Sequence, residues 1–298
     1  MVSTISLILS KSLISDEYVK HSMPFSGKGI IITGGGSGLG LQMAHNFGSY
    51  GAVIHIISRD QEKLNNAGNT LREKGIECFT YSSDIRDFDK IKEIVDTMMK
   101  DHEISGLINN AAGNFISRTE DLSMNAFLSV INIVLMGSIN ITLEVGKRWI
   151  KEGKKGSILS ILATYVDSGS PYVIPSATAK SGLQAFTRSI AAEWGSKGIR
   201  ANGIAPGPFK TDGAWKNLIP GDAAENIMIE RNPMRRLGRK EEIGELAVYL
   251  MSDAAEYING ETIRIDGGEY INSAAQFSML SMLPDAMWEE MNERRKKK

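Results

Sequence analysis

The stretch YVIPSATAKSGL at residues 172–183 reads as the start of a helix that carries a lysine, Lys180. Ser176 lies four residues before it and could hydrogen-bond a proton donor or a substrate. Serine and proline also suit the first turn of a helix, so Ser176 could equally belong to the N-terminal capping region. Pro175 should prevent one helix from running through Tyr172 to Lys180, which places Tyr172 in a loop.

A glycine-rich stretch, TGGGSGLG, directly follows the first apolar strand pattern. Glycines allow a tight turn and a close backbone approach, and the N-terminus of a following helix offers free N–H groups to a pyrophosphate. A loop of this kind between a first strand and a first helix predicts a dinucleotide site, although a turn that needs glycine only for packing is the alternative. The predicted cofactor residues here are Thr33, Gly34, Gly36, Ser37, Gly38, Leu39 and Gly40.

The end of the second predicted strand, Ile57-Ser58-Arg59-Asp60, bears on the choice of cofactor. An acid at this point would accept hydrogen bonds from the ribose 2′-hydroxyl of NAD. Arg59 can instead pair with a 2′-phosphate and Ser58 can donate to it, which favours NADP(H). Asp60 would repel that phosphate if its side chain turned inward, and Arg59 could also be a solvated surface charge.

Two further strand ends carry polar side chains that should lie near the same cofactor. Asp84 follows the third predicted strand and is placed to reach the adenine. Asn110 belongs to NNAAG at 109–113, which ends the fourth strand. Ligands bind at the carboxyl ends of parallel strands, so this loop should flank the cofactor, although asparagine also suits turns in general.

The elements that must position these residues alternate along the chain. Continuous apolar strand patterns follow amphipathic helical patterns, which predicts a parallel sheet with helices on both faces. We therefore expect one α/β, doubly wound (Rossmann) domain at about 24–275, with a sheet of about seven strands. Residues 1–23 and 276–298 are predicted tails. The irregular segment 212–235 contains Trp, Ile and Met residues that could form a substrate lid or simply pack on the domain.

Composition excludes several other classes of protein. The net charge of −1 among 298 residues does not favour a nucleic-acid binder, and no apolar run reaches the roughly 18 residues of a membrane span. One cysteine, Cys78, excludes an intrachain disulfide, and with four histidines it makes a metal site improbable. Residues 1–15 lack acids and could be a mitochondrial presequence or an N-terminal extension. The alternatives for location are peroxisomal and cytoplasmic.

Taken together, these motifs resemble the short-chain dehydrogenase/reductase family. The resemblance rests on TGGGSGLG, NNAAG, the SATAK helix, and Pro206-Gly207-Pro208 followed by Thr211, and it spans residues 27–270. It implies that Lys180 holds the nicotinamide ribose and that a second loop binds the cofactor. The implied residues of that loop are Pro206, Gly207, Pro208, Phe209 and Thr211.

The usual catalytic set of that family is Asn, Ser, Tyr and Lys, and this chain departs from it. Only Lys180 matches; the Tyr position is Ser176, the Ser position is Ala163 and the Asn position is Val134. These losses argue against alcohol or ketone chemistry by the usual route.

A narrower resemblance explains the departures. The stretches NNAAGNFIS, ATYVDSGSPYVIPSATAKSG, AAEWG and PGPFKTDGAW look like mitochondrial-type 2,4-dienoyl-CoA reductases. In those enzymes the working tyrosine lies 15 residues before the lysine, here Tyr165, and an asparagine follows the NNAAG loop, here Asn114. Tyr172 is a rival for the role of Tyr165.

The resemblance implies reduction of a 2,4-dienoyl thioester by NADPH in the oxidation of unsaturated fatty acids. Hydride attack at the far end of the diene would send negative charge to the thioester oxygen, where Tyr165 and Asn114 would donate hydrogen bonds. The product would be a 3-enoyl-CoA. The family also implies an acyl-CoA substrate and a homotetramer, and the Tyr165 pattern leans towards the mitochondrion.

The positions expected to contact the acyl-CoA match the family's pattern only in part. Family members place an arginine after PGPxxT to meet the CoA phosphates, but this chain has Asn217 there, and Lys216 could substitute as a point charge. Two other functions stay open: another short-chain reductase for a conjugated enoyl or carbonyl compound, and a nucleotide-binding sensor without turnover. The expected substrate residues are Arg59, Phe115, Ser123, Ser176 and Lys216.

Overall fold

A seven-stranded, wholly parallel sheet organises the chain, as the sequence predicts. The computed structural model describes residues 23–211 and 222–296. The strand order is β3-β2-β1-β4-β5-β6-β7, so the order reverses between β1 and β4, and a crevice opens there at the carboxyl ends. The strands are β1 Gly29–Thr33, β2 Val53–Ser58, β3 Cys78–Ser82, β4 Ile104–Asn109, β5 Gly156–Ile161, β6 Ile199–Pro206 and β7 Thr262–Ile265.

Apolar side chains on both faces of the central strands explain why this sheet is parallel and buried. All five residues of β1 are buried. Ile30 and Ile32 face one core with Met43 and Phe47, whereas Ile31 faces a second core on the other side of the sheet. Strands that are buried on both faces read as continuous apolar runs, which is the pattern that the sequence shows.

Helices cover both faces. On one side α1 Gly38–Ser49, α2 Gln61–Glu73 and α8 Lys240–Met251 supply the first core. On the other side α3 Phe88–Asp101, α5 Gly137–Glu152 and α6 Ile174–Trp194 supply the second. The remaining helices are α4 Met124–Ile131, α7 Asp222–Arg231, α9 Glu269–Ala274 and α10 Asp285–Lys296.

Helices α4 and α5 form one continuous rod through a π-helical turn at Asn132–Met136. Within the described ranges, this rod at 124–152 is the one helix long and apolar enough to cross a membrane by length and composition. Part of its apolar surface packs inside the protein: Ile141 and Val145 lie in the second core, and Trp149 donates from Nε1 to the Ile104 carbonyl at 2.7 Å. The N-terminal part also leaves Met124, Leu128 and Met136 exposed, so packing against the sheet accounts for only part of its apolar composition.

Two parts of the predicted layout differ in the structure. Residues 222–231, predicted to be irregular, form α7 because this part of the segment lacks glycine and proline. The predicted tail contains α10, whose described residues include no buried side chain. Residues 1–22 and 212–221 lie outside the described residues, and with them the predicted presequence, the first ten residues of the predicted lid and Lys216.

Candidate active site

The glycine-rich stretch that joins β1 to α1 has several positions that only glycine fits, Gly34 and Gly40 among them. Gly34 has a φ of +67°, in the left-handed region. A Cβ on Gly40 would lie 2.4 Å from the Gly34 carbonyl oxygen. Gly36, by contrast, has only ordinary contacts, the nearest 3.6 Å from its Cβ position. The backbone is thus tightly constrained at Gly34 and Gly40 but has free space beside Gly36, which suits the close approach of a pyrophosphate.

Thr33 and Asn110 tie this loop to the end of β4. The Thr33 hydroxyl accepts hydrogen bonds from the backbone N–H groups of Asn110 and Ala111, each at 3.0 Å, and donates to the Ile108 carbonyl at 3.2 Å. Asn110 Nδ2 donates to the Thr33 and Gly34 carbonyls at 3.0 and 3.2 Å. Thr33 is fully buried, and its hydroxyl holds the two strand ends together. Its predicted contact with a cofactor stays a prediction.

The loop that follows β6 lies against the glycine loop. Thr211 comes within 3.5 Å of the Cβ position of Gly38, and Gly207 donates from its backbone N–H to the Ile265 carbonyl at 3.0 Å. Phe209 is buried in the first core, and its ring closes over Gly238. The ring of Phe209 therefore packs in the protein and offers a cofactor only its backbone, a distinction that the motif could not make.

A basic corner lies at the ends of β2 and β3. Arg59 is 61% exposed, and its Nη1 lies 3.8 Å from Asp84 Oδ2. Arg86 lies closer to Asp84 and donates two hydrogen bonds to its carboxylate, from Nε to Oδ1 at 2.9 Å and from Nη2 to Oδ2 at 2.6 Å. This hydrogen-bonded pairing holds the pKa of Asp84 below its usual value. The Asp84 carboxylate therefore pairs mainly with Arg86. The Arg59 guanidinium, which is only loosely paired, is exposed to solvent.

The Asp60 carboxylate does not point towards the basic corner, where it would repel a bound phosphate. Its Oδ1 caps α2 by accepting from the Lys63 N–H at 3.1 Å, and its Oδ2 pairs with the Lys63 ammonium at 3.2 Å. Lys63 also lies beside the glycine loop, since its Cβ is 3.6 Å from the Cβ position of Gly36.

Lys63 and Arg86 are site candidates that the sequence analysis missed. Both are cations within four residues of a predicted cofactor contact, Arg59 or Asp84, and follow the carboxyl end of a strand. That spacing is the signal by which they could have been found.

Lys180 lies in the second turn of α6 and is buried. Its ammonium donates to the carbonyl of Ile161, the last residue of β5. Burial without a carboxylate partner lowers the pKa of Lys180 to about 8. The helix thus presents a cation with a low pKa at the carboxyl end of the sheet, where ligands bind.

Tyr165 lies in a short 3₁₀ turn, Thr164–Val166, that directly follows β5. Its hydroxyl forms a 2.9 Å hydrogen bond with the hydroxyl of Ser176. Burial raises the pKa of the Tyr165 phenol, and the hydrogen bond with Ser176 lowers it by less. Tyr165 therefore remains a hydrogen-bond donor at neutral pH.

The sequence left two roles open for Ser176, a hydrogen bond to a donor or substrate and a place at the start of the helix. Helix α6 begins at Ile174 with Val173 as its N-cap residue, so Ser176 lies in the first turn, as the sequence predicts. Among the described residues its hydroxyl makes no cap hydrogen bond and pairs with Tyr165 instead. Tyr172 lies before the helix, as predicted from Pro175, and its ring is 57% exposed. Of the two tyrosines, Tyr165 is the one that faces Ser176.

The turn that carries Tyr165 is fixed by side chains from two other elements. Ser181 on α6 donates to the Val166 carbonyl at 2.8 Å, and Gln184 donates to Asp167 Oδ1 at 3.3 Å. Arg264 on β7 pairs with Asp167 Oδ2. These contacts restrain the residues that follow Tyr165 and so limit where its hydroxyl can point.

Asn114 and Phe115 lie on the loop after β4, next to the helix that carries Lys180. Asn114 Oδ1 accepts from the Phe115 N–H at 2.9 Å, and its NH₂ group has no hydrogen-bond partner among the described residues. Phe115 packs against Val134 and Ala179, the neighbour of Lys180. The asparagine amide thus keeps its donors available on a loop that packs against α6 through Phe115.

Ser123 has a local structural role. Its hydroxyl accepts from the Ala126 N–H at 3.2 Å and caps α4, and its side chain is exposed. Its expected contact with an acyl-CoA stays a prediction.

Known proteins with similar sequences include several reductases. A family model described as enoyl-(acyl carrier protein) reductase matches residues 34–269. A probable (3E)-enoyl-CoA-producing 2,4-dienoyl-CoA reductase of Caenorhabditis elegans is 41% identical over 249 residues, covering 82% of this chain and 80% of that protein. A probable (2E)-enoyl-CoA-producing 2,4-dienoyl-CoA reductase of Bacillus subtilis is 40% identical over 250 residues, covering 82% and 97%.

Among solved structures, a short chain dehydrogenase of Bacillus anthracis is similar in both fold and sequence. It superposes with a TM-score of 0.74 at 43% identity and covers 82% of this chain and 97% of its own. The match in sequence, in parallel sheet and in nucleotide loop shows that this chain belongs to the short-chain dehydrogenase/reductase family of oxidoreductases.

Proposed function

We propose that the protein is an NADPH-dependent 2,4-dienoyl-CoA reductase that forms a 3-enoyl-CoA in the oxidation of unsaturated fatty acids. The observation that carries this proposal is the hydroxyl pair of half-buried Tyr165 and buried Ser176, in which serine replaces the family's usual tyrosine acid. The names of the relatives at 40% and 41% identity support the same substrate class.

The proposed chemistry needs charge stabilisation rather than an acid beside the carbon that accepts hydride. A bound NADPH would supply the hydride, and water would supply the proton to the carbon next to the thioester, which gives the 3-enoyl-CoA. The Tyr165 hydroxyl and the Asn114 amide would donate hydrogen bonds to the thioester oxygen as it gains negative charge. Tyr165 keeps its proton at neutral pH because burial raises the pKa of its phenol, which suits a donor to an oxyanion.

The preference for NADPH rests on the basic corner around Arg59. A dianionic 2′-phosphate would gain charge-assisted hydrogen bonds from the Arg59 guanidinium. Asp60, which could have opposed it, caps α2 and pairs with Lys63 instead. With its partly open glycine loop and the buried Lys180, the crevice fits a dinucleotide with a nicotinamide ring near Tyr165.

A homotetramer and a mitochondrial location stay predictions from the resemblance. Residues 1–22, which would carry a presequence, lie outside the described part of the chain.

The experiment that tests the function is NADPH oxidation by the purified protein with trans-2,trans-4-decadienoyl-CoA. The control substrate is trans-2-decenoyl-CoA, which lacks the second double bond. We expect turnover with the dienoyl substrate alone, and much weaker turnover when NADH replaces NADPH.

Product analysis by NMR decides the position of the remaining double bond. A 3-enoyl product agrees with the proposal, whereas a 2-enoyl product would resemble that named for the B. subtilis relative and would place protonation elsewhere. Tight NADPH binding without turnover of either substrate would contradict the proposal and favour a different substrate or a non-catalytic sensor.

A further inference from the structure

Tyr172 is held in a backbone conformation that tyrosine rarely adopts. Its φ is +65°, and within residues 23–211 and 222–296 the only other non-glycine residue with positive φ is Arg235. A side chain with a Cβ is disfavoured in this left-handed region, and a bulky residue there is a genuine outlier. Glycine or asparagine would be the ordinary choice at such a turn.

Packing of the ring does not account for a tyrosine at this position. The side chain is 57% exposed, so little apolar area is buried to offset the unfavourable backbone. The hydrogen bond at this residue, from the Ser117 N–H to the Tyr172 carbonyl at 2.9 Å, is made by backbone atoms and would be kept by any residue. A strained residue that the fold does not require points to a function for its side chain.

The same backbone hydrogen bond places Tyr172 beside the candidate site. It joins the loop that carries Asn114 to the loop that follows Tyr165, so both proposed oxyanion donors lie on segments that meet at Ser117 and Tyr172. Ile116, the residue before Ser117, is 51% exposed. An exposed tyrosine and an exposed isoleucine thus lie on the two segments that this backbone hydrogen bond joins, at the rim of the candidate site.

We propose that Tyr172 and Ile116 form a contact for the acyl chain of the substrate, beyond its diene, and that Tyr172 sets the preference for chain length. This inference rests on the proposed function. A hydrocarbon chain is the better partner than the pantetheine arm, because the arm carries two amides that need hydrogen-bond partners. The rim offers mainly carbon surface; its polar groups are the single Tyr172 phenol and a carbonyl already bonded to the Ser117 N–H. Binding of the chain would remove this exposed apolar surface from water.

The test compares Tyr172→Asn with Tyr172→Phe on two substrates, 2,4-hexadienoyl-CoA and 2,4-decadienoyl-CoA, at saturating NADPH. Asparagine tolerates the left-handed backbone but lacks the ring. We expect Tyr172→Asn to raise KM for the decadienoyl substrate about tenfold, with little change for the hexadienoyl substrate and in the Kd for NADPH. The melting temperature of this variant should equal or exceed that of the wild type.

Two matched variants control this comparison. Tyr172→Phe keeps the ring and should retain the chain-length dependence. Tyr257→Asn removes a fully exposed tyrosine at the opposite end of the sheet, near Lys28 and Glu103, and should not alter either KM.

Four outcomes would overturn the inference. An equal rise in KM for both substrates would assign the ring to the pantetheine arm, and a lower melting temperature for Tyr172→Asn would assign it to stability. Unchanged KM values with an active wild type would reject the inference alone. If the wild type neither binds nor reduces either dienoyl-CoA, the proposed function fails and this inference fails with it.

Discussion

The hydroxyl groups of Tyr165 and Ser176 lie 2.9 Å apart, across eleven positions of sequence. One residue lies in the 3₁₀ turn after β5, and the other lies in the first turn of α6. Ser176 occupies the place of the tyrosine that most short-chain reductases use as their acid, and it pairs with a tyrosine supplied from the preceding turn. Under the proposed function, the active phenol is thus displaced rather than lost.

Replacing Tyr165 with phenylalanine should remove one of the two proposed oxyanion donors. We expect kcat for a dienoyl-CoA to fall about a hundredfold or more, since loss of one such donor typically raises the barrier by about 3 kcal/mol. The free energy of unfolding should fall by about 1 kcal/mol, because the buried Ser176 hydroxyl loses its partner.

Steady-state kinetics and urea denaturation measure the two effects of Tyr165→Phe separately. The control is Tyr172→Phe, which removes a hydroxyl from the neighbouring exposed tyrosine and should keep most of kcat. A Tyr165→Phe enzyme with full activity would remove Tyr165 from the mechanism and favour a different chemistry.

The buried ammonium of Lys180 should make stability depend on pH in the alkaline range. Desolvation lowers the pKa of Lys180 from 10.5 to about 8 in the folded protein. Between these pH values the unfolded chain binds the proton and the folded protein does not, so the free energy of unfolding should rise with pH, by about 3 kcal/mol in total. Below about pH 8 both states are protonated and this contribution is constant.

Denaturant titrations of the cofactor-free protein between pH 7 and pH 11 measure this dependence. Lys180→Met, which cannot titrate, should lack the rise and is the matched control. Parallel curves for the two proteins would contradict the low pKa.

Two glycines of the nucleotide loop should respond differently to alanine. In Gly40→Ala the new Cβ would lie 2.4 Å from the Gly34 carbonyl and 2.5 Å from Asn110 Nδ2, so the loop must shift and its link to β4 must break. We expect a loss of at least about 2 kcal/mol in stability and no measurable cofactor binding. In Gly36→Ala the nearest neighbour is 3.6 Å away, so the fold should be kept.

Thermal unfolding and NADPH titration distinguish the two variants. Gly36→Ala should melt close to the wild type but bind NADPH more weakly, because a methyl group would stand where the backbone approaches the pyrophosphate. Equal melting temperatures for Gly40→Ala and the wild type would show that the loop has room that the structure does not provide.

Arg59 should discriminate between the two nicotinamide cofactors. Arg59→Ala removes the exposed guanidinium of the basic corner, so we expect KM for NADPH to rise about tenfold while KM for NADH changes little. Arg188→Ala, an exposed arginine further along α6, is the matched control for loss of surface charge. Equal changes for both cofactors would place the 2′-phosphate site elsewhere, with Lys63 and Arg86 the next residues to replace.

The sequence by itself determined the fold and the order of the site along the chain. Apolar runs such as GIIIT and VIHIIS can be satisfied only by burial on both faces of a sheet, and the glycines after β1 permit a backbone that other residues resist. Pro175 similarly set the start of α6 within two residues. These features depend on local backbone geometry and periodicity, which the sequence states directly.

Only the tertiary structure decided which side chains meet. The pairing of Tyr165 with Ser176, the burial of the Phe209 ring, and the use of the Thr33 hydroxyl to join two strands all depend on contacts between separate elements. A motif fixes the type of a residue and its position in the chain. The direction of its side chain is set by packing and by competing hydrogen bonds. The Asp60 carboxylate, for example, accepts from the Lys63 N–H and caps α2, so it does not turn towards the expected site of the 2′-phosphate.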